Sequence, residues 1–374
     1  MKLRLLLAAA ASLQFATALQ AQDVDANVMA ADLGMWESDV PAREMPGWQQ
    51  PDDITILTFG AMPESGIGSR AWFLEATGDV NVTFFAAGGD TDYSEIAETD
   101  VIVGWCSPDA ISAAESVQYL HFYSAGIDRC ASIPGIADRG LIATNSAKAA
   151  SETIAEHGIA LMLMMTRGLH HHYRQQMKEE WRGYSDAPGT FAVKGKTMLV
   201  LGLGGIGSQI AQRAHDLGMM VIGTRNSSRS GPDFVSYVGL ADEADGMASK
   251  ADVIVNALPL TDATRGTVDG DFFDAMKQGA FYISVGRGGT TDTDALMDAL
   301  KSGKLAGAGL DVTDPEPLPA GHPLWTMPNV VISPHSAAGS DMSRANTMLL
   351  ARENLRRYIN GEKLLNVVDF ARGY

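Results

Sequence analysis

Cysteine and positive charge are scarce in this chain of 374 residues. It contains 2 cysteines, Cys106 and Cys130, which are too few for a disulfide framework, and the sequence alone leaves open whether they pair. Lys and Arg number 28 against 45 Asp and Glu, giving a formal net charge of −17. This charge disfavours nucleic acid and anionic membranes as partners, because their phosphates would be repelled. Metal-ligand spacings are missing as well, and three successive histidines, residues 170–172, are expected to form an exposed polar turn, so we expect no metal.

The chain also lacks an apolar run long enough to make a good membrane span. Its N-terminus has two basic residues, a short apolar run and then small residues up to Ala21, a pattern typical of a secretory signal. We therefore expect residues 1–22 to be a signal peptide of the general export route, since no twin-arginine pair is present. The mature protein would be periplasmic or secreted, without membrane attachment. The alternative is a misassigned start codon, which would give a cytoplasmic enzyme beginning at Met29 or Met35.

The remaining chain is long enough for two domains and a sizeable core. Strand-like runs alternate with helical ones, which is the pattern of parallel sheets covered on both faces. The expected strands form two sets, residues 54–60, 80–85, 101–104, 119–124 and 141–144, and then 197–202, 220–224, 252–258, 280–285, 307–312 and 330–333. An apolar helix over residues 151–168 must be buried, between the domains or between subunits. Residues 23–51 have no clear period and are expected to wrap the surface.

A glycine-rich turn occupies the middle of the chain. The segment Lys196-Thr-Met-Leu-Val-Leu-Gly-Leu-Gly-Gly-Ile-Gly-Ser-Gln-Ile210 runs from an apolar strand through Gly202, Gly204 and Gly207 into a helix expected over residues 208–217. The first glycine permits the tight turn, the second lets the backbone approach phosphates, and the third lets helix and strand pack closely. Because the phosphates would lie at the positive end of the helix, the segment predicts a dinucleotide site.

The end of the next strand bears on which dinucleotide binds. An acidic residue there usually accepts hydrogen bonds from the ribose 2′-hydroxyl of NAD. This chain instead has Thr224 and Arg225, followed by Ser227 and Arg229. Two guanidinium groups among hydroxyls suit the extra phosphate of NADP, with NAD as the alternative cofactor. The other interpretation is that both arginines are solvated loop charges.

A series of further motifs resembles one family. They are, in order, Ser124-Ala-Gly-Ile-Asp128, Thr144-Asn-Ser146, Ala155-Glu-His157, Leu258-Pro-Leu-Thr261, Gly286-Arg-Gly-Gly289, Leu310-Asp-Val-Thr-Asp-Pro-Glu-Pro317 and Ser333-Pro-His-Ser336. Together with the glycine turn, they resemble the D-isomer-specific 2-hydroxyacid dehydrogenases, which include glyoxylate and hydroxypyruvate reductases. The resemblance extends from about residue 54 to the C-terminus.

The resemblance implies an α/β protein of two doubly wound parallel-sheet domains. A Rossmann cofactor domain, residues 151–340, would be inserted into a flavodoxin-like substrate domain, residues 23–150 completed by 341–374. The protein would be a homodimer that transfers hydride between NAD(P)H and a small 2-oxo acid of the glyoxylate or hydroxypyruvate type. Because export would separate the protein from a free nicotinamide pool, an exported nucleotide-binding scaffold or sensor without turnover remains the alternative.

The resemblance also implies roles for three catalytic residues. Arg287 would bind the substrate carboxylate and polarise its ketone, since a guanidinium can hold two oxygens at once. His335 would be the acid and base. Glu316 would hydrogen-bond to the His335 ring, fix its tautomer and favour its protonated form.

The remaining implied contacts surround these groups. Backbone N–H groups at Ala125 and Gly126 would bind the substrate carboxylate, and Trp105 nearby would favour a small substrate. Further cofactor contacts are expected at Gly205, Ile206, Leu258, Pro259, Val285 and Asp311. A structural cap is nearly as consistent a role for Asp311. Arg225 at the usual acidic position, and Gly286 where Ala is frequent, depart from the common pattern.

Overall fold

The computed structural model describes residues 25–88, 91–182, 189–226 and 228–370. The expected signal peptide, residues 1–22, and the expected cofactor contact Ser227 lie outside the described residues. In the part of the chain described, no helix is long and apolar enough to cross a membrane.

Two parallel sheets organise the molecule. The first contains β1 (Asp53–Thr58), β2 (Asn81–Ala86), β3 (Val101–Gly104), β4 (Tyr119–Phe122) and β5 (Ile142–Asn145). The second contains β6 (Thr197–Leu201), β7 (Met220–Thr224), β8 (Tyr237–Gly239), β9 (Val253–Asn256), β10 (Ala280–Ser284), β11 (Leu305–Leu310) and β12 (Val330–Ile332). The strand orders are β2-β1-β3-β4-β5 and β12-β11-β10-β9-β6-β7-β8. These are the flavodoxin-like and Rossmann orders, so the expected α/β fold is confirmed.

Eleven helices of the described residues pack around the two sheets. They are α1 (Ala26–Asp32), α2 (Arg70–Thr77), α3 (Pro108–Ala113), α4 (Asp128–Ala131), α5 (Ser151–Thr166), α6 (Leu169–Gln176), α7 (Gly205–Asp216), α8 (Ala244–Ala248), α9 (Gly270–Ala275), α10 (Thr293–Lys301) and α11 (Asp341–Ile359). The hydrophobic clusters of residues 154–332 are separate from those of residues 29–143 and 348–370. We call the two bodies the seven-stranded unit and the five-stranded unit.

The C-terminal residues return to the five-stranded unit. Isolated antiparallel bridges join Leu365 to Glu37 and Val367 to Thr144. Helix α1 buries Met29 and Ala30 in a cluster with α11. The segment expected merely to wrap the surface therefore contains a helix with a packed face.

Helix α5 packs on the seven-stranded sheet. Its Leu161 and Met165 belong to the cluster formed by that sheet. They lie so close to β11 that a Cβ atom on Gly307 would be 2.5 Å from Met165 Cε, and one on Gly309 would be 3.0 Å from Leu161 Cβ. Glycines in β11 thus make room for this apolar helix.

Three local expectations are corrected by the structure. The short edge strand β8 was not expected, because its three residues are too few to show a period. Helix α7 begins at Gly205 rather than at residue 208, since Gly204 already occupies its N-cap position. The histidines at residues 170–172 lie within α6 and not in a turn.

Candidate active site

The glycine-rich turn has the geometry that a dinucleotide needs. Gly202 has φ +88°, and a Cβ atom on Gly207 would lie 2.0 Å from the Gly202 carbonyl oxygen. A Cβ atom on Gly204, by contrast, would meet no atom of the described residues within 4 Å, so these residues leave space before the N-terminus of α7. Thr224 is buried, and its hydroxyl accepts a hydrogen bond from the Gly202 amide at 3.1 Å. Thr224 therefore holds the turn in shape, while the turn presents α7 to an anion.

Other expected cofactor residues border this turn. Leu258 and Pro259 follow β9, and Val285 follows β10, so they lie at the carboxyl edge of the sheet. The Leu258 Cδ2 atom is 3.3 Å from where a Cβ atom on Gly202 would stand. Ile206, in the first turn of α7, packs partly buried against the sheet.

The two arginines after β7 differ in their contacts. The Nη1 atom of Arg229 lies 2.7 Å from Glu243 Oε1 and donates to the Tyr237 hydroxyl at 3.1 Å. Hydrogen bonds from the Leu240 amide and Tyr237, and then the charge of Arg229, hold the pKa of Glu243 below its ordinary value. The buried Nε atom of Arg225, in contrast, has no hydrogen-bond partner among the described residues. A buried donor without a partner can accommodate an anionic group, whereas Arg229 is already paired with Glu243.

The expected acid–base pair is present in the structure. His335 follows β12 and Glu316 follows β11, and their Nδ1 and Oε1 atoms are 2.6 Å apart. Because a carboxylate only accepts, it receives a hydrogen bond from the protonated Nδ1 and leaves Nε2 as the nitrogen for proton transfer. His335 has φ 49°, a region that non-glycine residues rarely adopt, and its amide donates to the Asp311 carbonyl at 2.8 Å. The backbone around β11 thus fixes the position of the ring.

Asp311 holds the same loop through its side chain. Its carboxylate, only 2% exposed, accepts hydrogen bonds from the Ser333 hydroxyl at 2.7 Å and from the amides of Ser336 and Ala337 at 3.0 and 3.1 Å. The Nε2 atom of His157 lies 2.7 Å from the Ser333 hydroxyl oxygen. Of the two roles considered for Asp311, these contacts fit the structural cap: it fastens the residues on both sides of His335.

Arg287 reaches from the seven-stranded unit to the five-stranded unit. Its Nε donates to Asp128 Oδ1 at 3.1 Å, and both side chains are about one-quarter exposed. A Cβ atom on Gly126 would lie 1.8 Å from Arg287 Nη2, so only glycine admits the guanidinium at this point. Glycine is required at position 286 as well, because a Cβ atom there would be 2.5 Å from the Leu258 carbonyl oxygen.

The two loops expected to contact the substrate, one with Trp105 and one with Ala125 and Gly126, follow the carboxyl ends of β3 and β4. The Ala125 carbonyl accepts from the Asn145 side chain at 2.8 Å, and the Gly126 carbonyl accepts from the Ser124 hydroxyl at 2.7 Å. Trp105 is half exposed and packs edge-on to Tyr123. A disulfide joins Cys106 to Cys130 and so ties the two loops together.

Sequence reasoning assigned no role to Asp128, His157 or Lys148. The first two stand in the quoted motifs, but their partners, Arg287 and Ser333, are far away in the chain, so only the fold reveals the pairs. Lys148 lies beside the glycine turn and belongs to none of the motifs. No cluster of three or more His, Cys, Asp or Glu side chains in the described ranges could hold a metal ion.

Comparisons with known proteins identify the family of the chain. The family model for the D-isomer specific 2-hydroxyacid dehydrogenase NAD-binding domain matches residues 159–337. Human glyoxylate reductase/hydroxypyruvate reductase is 33% identical over 257 residues, which are 68% of this chain and 77% of that protein.

Two solved structures are similar over nearly their whole length. The D-isomer specific 2-hydroxyacid dehydrogenase of Xanthobacter autotrophicus Py2, in complex with NADPH and MES, has a TM-score of 0.72 at 27% identity, covering 87% of this chain and 100% of that one. The NADPH-dependent glyoxylate/hydroxypyruvate reductase of Sinorhizobium meliloti, in complex with NADP and sulfate, has a TM-score of 0.71 at 26% identity, covering 86% and 100%. The chain therefore belongs to the D-isomer specific 2-hydroxyacid dehydrogenase family and is an NAD(P)-dependent oxidoreductase.

Proposed function

We propose that this protein is an exported reductase of small 2-oxo acids, of the glyoxylate or hydroxypyruvate type, that prefers NADPH to NADH. The observation that carries the proposal is the convergence of Arg287, Glu316 and His335 on the edge of the sheet that bears the glycine turn. Open α/β sheets bind their ligands at this edge.

Each residue has a separate task in the proposed reaction. The nicotinamide, when bound, supplies the hydride. Arg287 binds the 2-oxo acid through its carboxylate and ketone oxygens, and its charge stabilises the negative charge that develops on the ketone oxygen. His335 donates a proton from Nε2 to that oxygen, while Glu316 keeps the other nitrogen protonated. The Ala125 and Gly126 amides orient the carboxylate.

A small substrate is favoured by the loops that face Arg287. Trp105 places a bulky ring beside them, and the Cys106–Cys130 disulfide limits how far they can separate. Asp128, already beside Arg287, would repel a second carboxylate on the substrate. We therefore expect monocarboxylic 2-oxo acids to be better substrates than dicarboxylic ones.

The test is to incubate the mature protein with NADPH or NADH and a panel of glyoxylate, hydroxypyruvate, pyruvate and 2-oxoglutarate, and to follow cofactor absorbance. Turnover should be fastest with glyoxylate or hydroxypyruvate. If protein that binds the cofactor reduced none of these acids, the proposed activity would be refuted in favour of a binding scaffold.

The NADPH preference is tested at Arg225. Replacing this arginine by Asp removes a charge-assisted contact worth about 1.5–3 kcal/mol, or roughly one to two powers of ten in affinity. Arg225→Asp should narrow or reverse the ratio of NADPH to NADH dissociation constants. Arg229→Ala should change that ratio less, because Arg229 already pairs with Glu243. Equal affinities in the unmutated protein would contradict the assignment and favour NAD as an equivalent cofactor.

Export is supported by the N-terminal pattern and by the disulfide, since disulfides persist mainly in oxidising compartments. We expect cleavage after Ala18 or Ala21 and a mature chain in the periplasm or the medium. N-terminal sequencing of the native protein checks this. A chain that begins at Met1, Met29 or Met35 in the cytoplasmic fraction would contradict it.

A homodimer is part of the same proposal. An exposed apolar stripe at four-residue spacing runs along α6 and ends at its C-cap residue: Leu169, Tyr173 and Met177. Such a stripe is typical of a face that another subunit covers. Light scattering should give twice the monomer mass, and Tyr173→Asp with Met177→Asp should halve it. A monomeric unmutated protein would contradict this part of the proposal.

A further inference from the structure

Lys148 occupies an unusual position between the two units. It lies in the segment that leads from β5 to α5, and its φ of 71° falls in the left-handed region that side chains rarely adopt. Its Cγ atom is 3.1 Å from where a Cβ atom on Gly205 would stand. Lys148 therefore packs against the first residue of α7, at the end of the helix that faces the glycine turn.

The charge of Lys148 lacks an acidic neighbour. Its ammonium group donates to the Gly34 carbonyl and lies 6.0 Å from the centre of the Trp36 ring. Within the described ranges, no carboxylate forms a salt bridge with it. Burial and then the charge of Arg225 lower the pKa of Lys148, so the two cations are near enough to repel each other.

Lys148 thus lies against the N-terminus of α7 and close enough to Arg225 for their charges to interact, and neither cation has a salt-bridge partner among the described residues. The neighbouring cation, Arg225, also has the buried Nε atom without a partner. Repulsion of this kind is relieved by an anion of more than one charge, and phosphate is the anion that helix N-termini and arginines bind best.

We propose that Lys148 is a further cofactor-binding residue, a second cation that binds a phosphate on the ADP half of NADP(H) together with Arg225. The proposal rests on the proposed NADP preference and extends it to the segment between the units. Two phosphate groups have the required chemistry, the 2′-phosphate beside Arg225 and the pyrophosphate beside Gly205. On binding, the ammonium group leaves Gly34 and Trp36, so the environment of the Trp36 ring changes as well.

The backbone conformation of Lys148 permits a variant that removes the side chain without destabilising the fold. Glycine adopts a φ of 71° without strain, so Lys148→Gly should leave the melting temperature unchanged or raise it. A loss of affinity in that variant cannot then be attributed to poor folding. Lys148→Arg keeps the charge and should retain most of the affinity. Lys196→Met is the matched control, because Lys196 also lies over an aromatic ring, Phe191, but precedes β6 at the opposite edge of the sheet.

Binding is measured by calorimetry on the full mature chain with NADP⁺, NAD⁺, ADP and 2′,5′-ADP. Lys148→Gly should bind NADP⁺ about tenfold more weakly, the effect of losing one charge-assisted contact. Weaker binding of 2′,5′-ADP with unchanged ADP assigns the contact to the 2′-phosphate, and weaker binding of ADP assigns it to the pyrophosphate. The fluorescence change attributable to Trp36, obtained by subtracting a Trp36→Phe variant, should shrink in Lys148→Gly.

Unchanged affinity of Lys148→Gly for all four ligands would overturn the proposal. Failure of the unmutated protein to bind any of them would overturn both this proposal and the cofactor assignment. Normal NADP⁺ binding that depends on Lys148, with no reduction of any 2-oxo acid, would refute the proposed reaction and leave the role of Lys148 intact.

Discussion

The two facing edges of the units are held in place by different means. The catalytic wall, formed by Arg287, Glu316 and His335, follows β10, β11 and β12 and is fastened by hydrogen bonds to the buried carboxylate of Asp311. The substrate wall, formed by residues 104–106 and 124–130, follows β3 and β4 and is fastened by a disulfide and by hydrogen bonds from side chains to main-chain carbonyls. The first wall presents charged side chains, whereas the second presents mainly backbone. We infer that the catalytic wall sets the chemistry and the substrate wall sets which acid fits.

The hydrogen bonds beneath the catalytic wall form an extended network. The side-chain amide of Asn256 donates to the hydroxyls of Tyr282 and Thr290, each at 2.8 Å, and the Tyr282 hydroxyl lies 2.7 Å from that of Thr291. Burial raises the pKa of Tyr282, so its hydroxyl stays protonated over the physiological range. The network consists of amide and hydroxyl groups, none of which takes up a proton in mild acid.

The largest effect is expected at the catalytic wall, from His335→Ala. Loss of the proton donor should lower kcat by about 10²–10⁴-fold. The dissociation constant for NADPH should not change, because the ring contacts Glu316 and not the glycine turn. Stopped-flow and steady-state kinetics check the first expectation and calorimetry the second, with His215→Ala on α7 as the control. A near-normal kcat in His335→Ala would refute the acid–base role.

The difference between the walls explains what the sequence could predict. Arg287, Glu316 and His335 are chemically distinctive residues at strand ends, so motif order alone places them at one edge of the sheet. The strands are recognisable because both faces are buried and their apolar runs are continuous. The ion pair of Arg287 with Asp128 and the hydrogen bond of His157 with Ser333 depend on how distant segments meet, and no local pattern encodes that. The Cys106–Cys130 pairing was left open for the same reason.

The second-largest effect is expected at the substrate wall, from removing the disulfide with Cys106→Ser and Cys130→Ala. The bond joins residues 24 apart in the sequence. Opening a loop of that length should lower the free energy of unfolding by about 3.5 kcal/mol, because the unfolded chain gains conformational entropy. The KM for the 2-oxo acid should rise about tenfold as the loops loosen, with NADPH affinity unchanged. Urea unfolding and kinetics measure these effects.

Dithiothreitol supplies the control for the disulfide. It should reproduce both changes in the unmutated protein and have no effect on the double variant, because the chain has only 2 cysteines. If the double variant kept an unchanged KM, the disulfide would have no part in positioning the substrate wall.

Acid should weaken the five-stranded unit before the seven-stranded one. His121 in β4 is buried beneath the substrate wall, and burial lowers its pKa from 6.5 to about 3. Because the unfolded chain takes up this proton first, the stabilising contribution is complete above pH 6.5 and is lost as the pH falls from 6.5 towards 3. The loss is about 1.4 kcal/mol per pH unit. His121→Asn should therefore flatten the fall in unfolding free energy between pH 6.5 and 5.

Hydrogen exchange shows where that loss occurs. After correction for the intrinsic exchange rate at each pH, amides of β3, β4 and β5 should be less protected at pH 5 than at pH 7, whereas the protection of those of β9, β10 and β11 should not change. An equal loss of protection in both sheets, or the same pH slope in His121→Asn and the unmutated protein, would contradict the assignment to His121.

The smallest effect is expected where the walls meet, from Asp128→Asn. The Asp128 carboxylate forms an ion pair with Nε of Arg287 and so holds the guanidinium in place. A partly exposed pair of this kind is worth about 1 kcal/mol, so its loss should lower kcat/KM for glyoxylate roughly fivefold. Removing the negative charge should also reduce the discrimination against 2-oxoglutarate, so the ratio of the two kcat/KM values should fall. The NADPH dissociation constant should stay the same, since Asp128 lies on the substrate wall. Asp109→Asn, on the exposed first turn of α3, is the matched control. If Asp128→Asn lowered kcat/KM equally for both acids, the carboxylate would only position Arg287, and its role in selecting monocarboxylic substrates would be refuted.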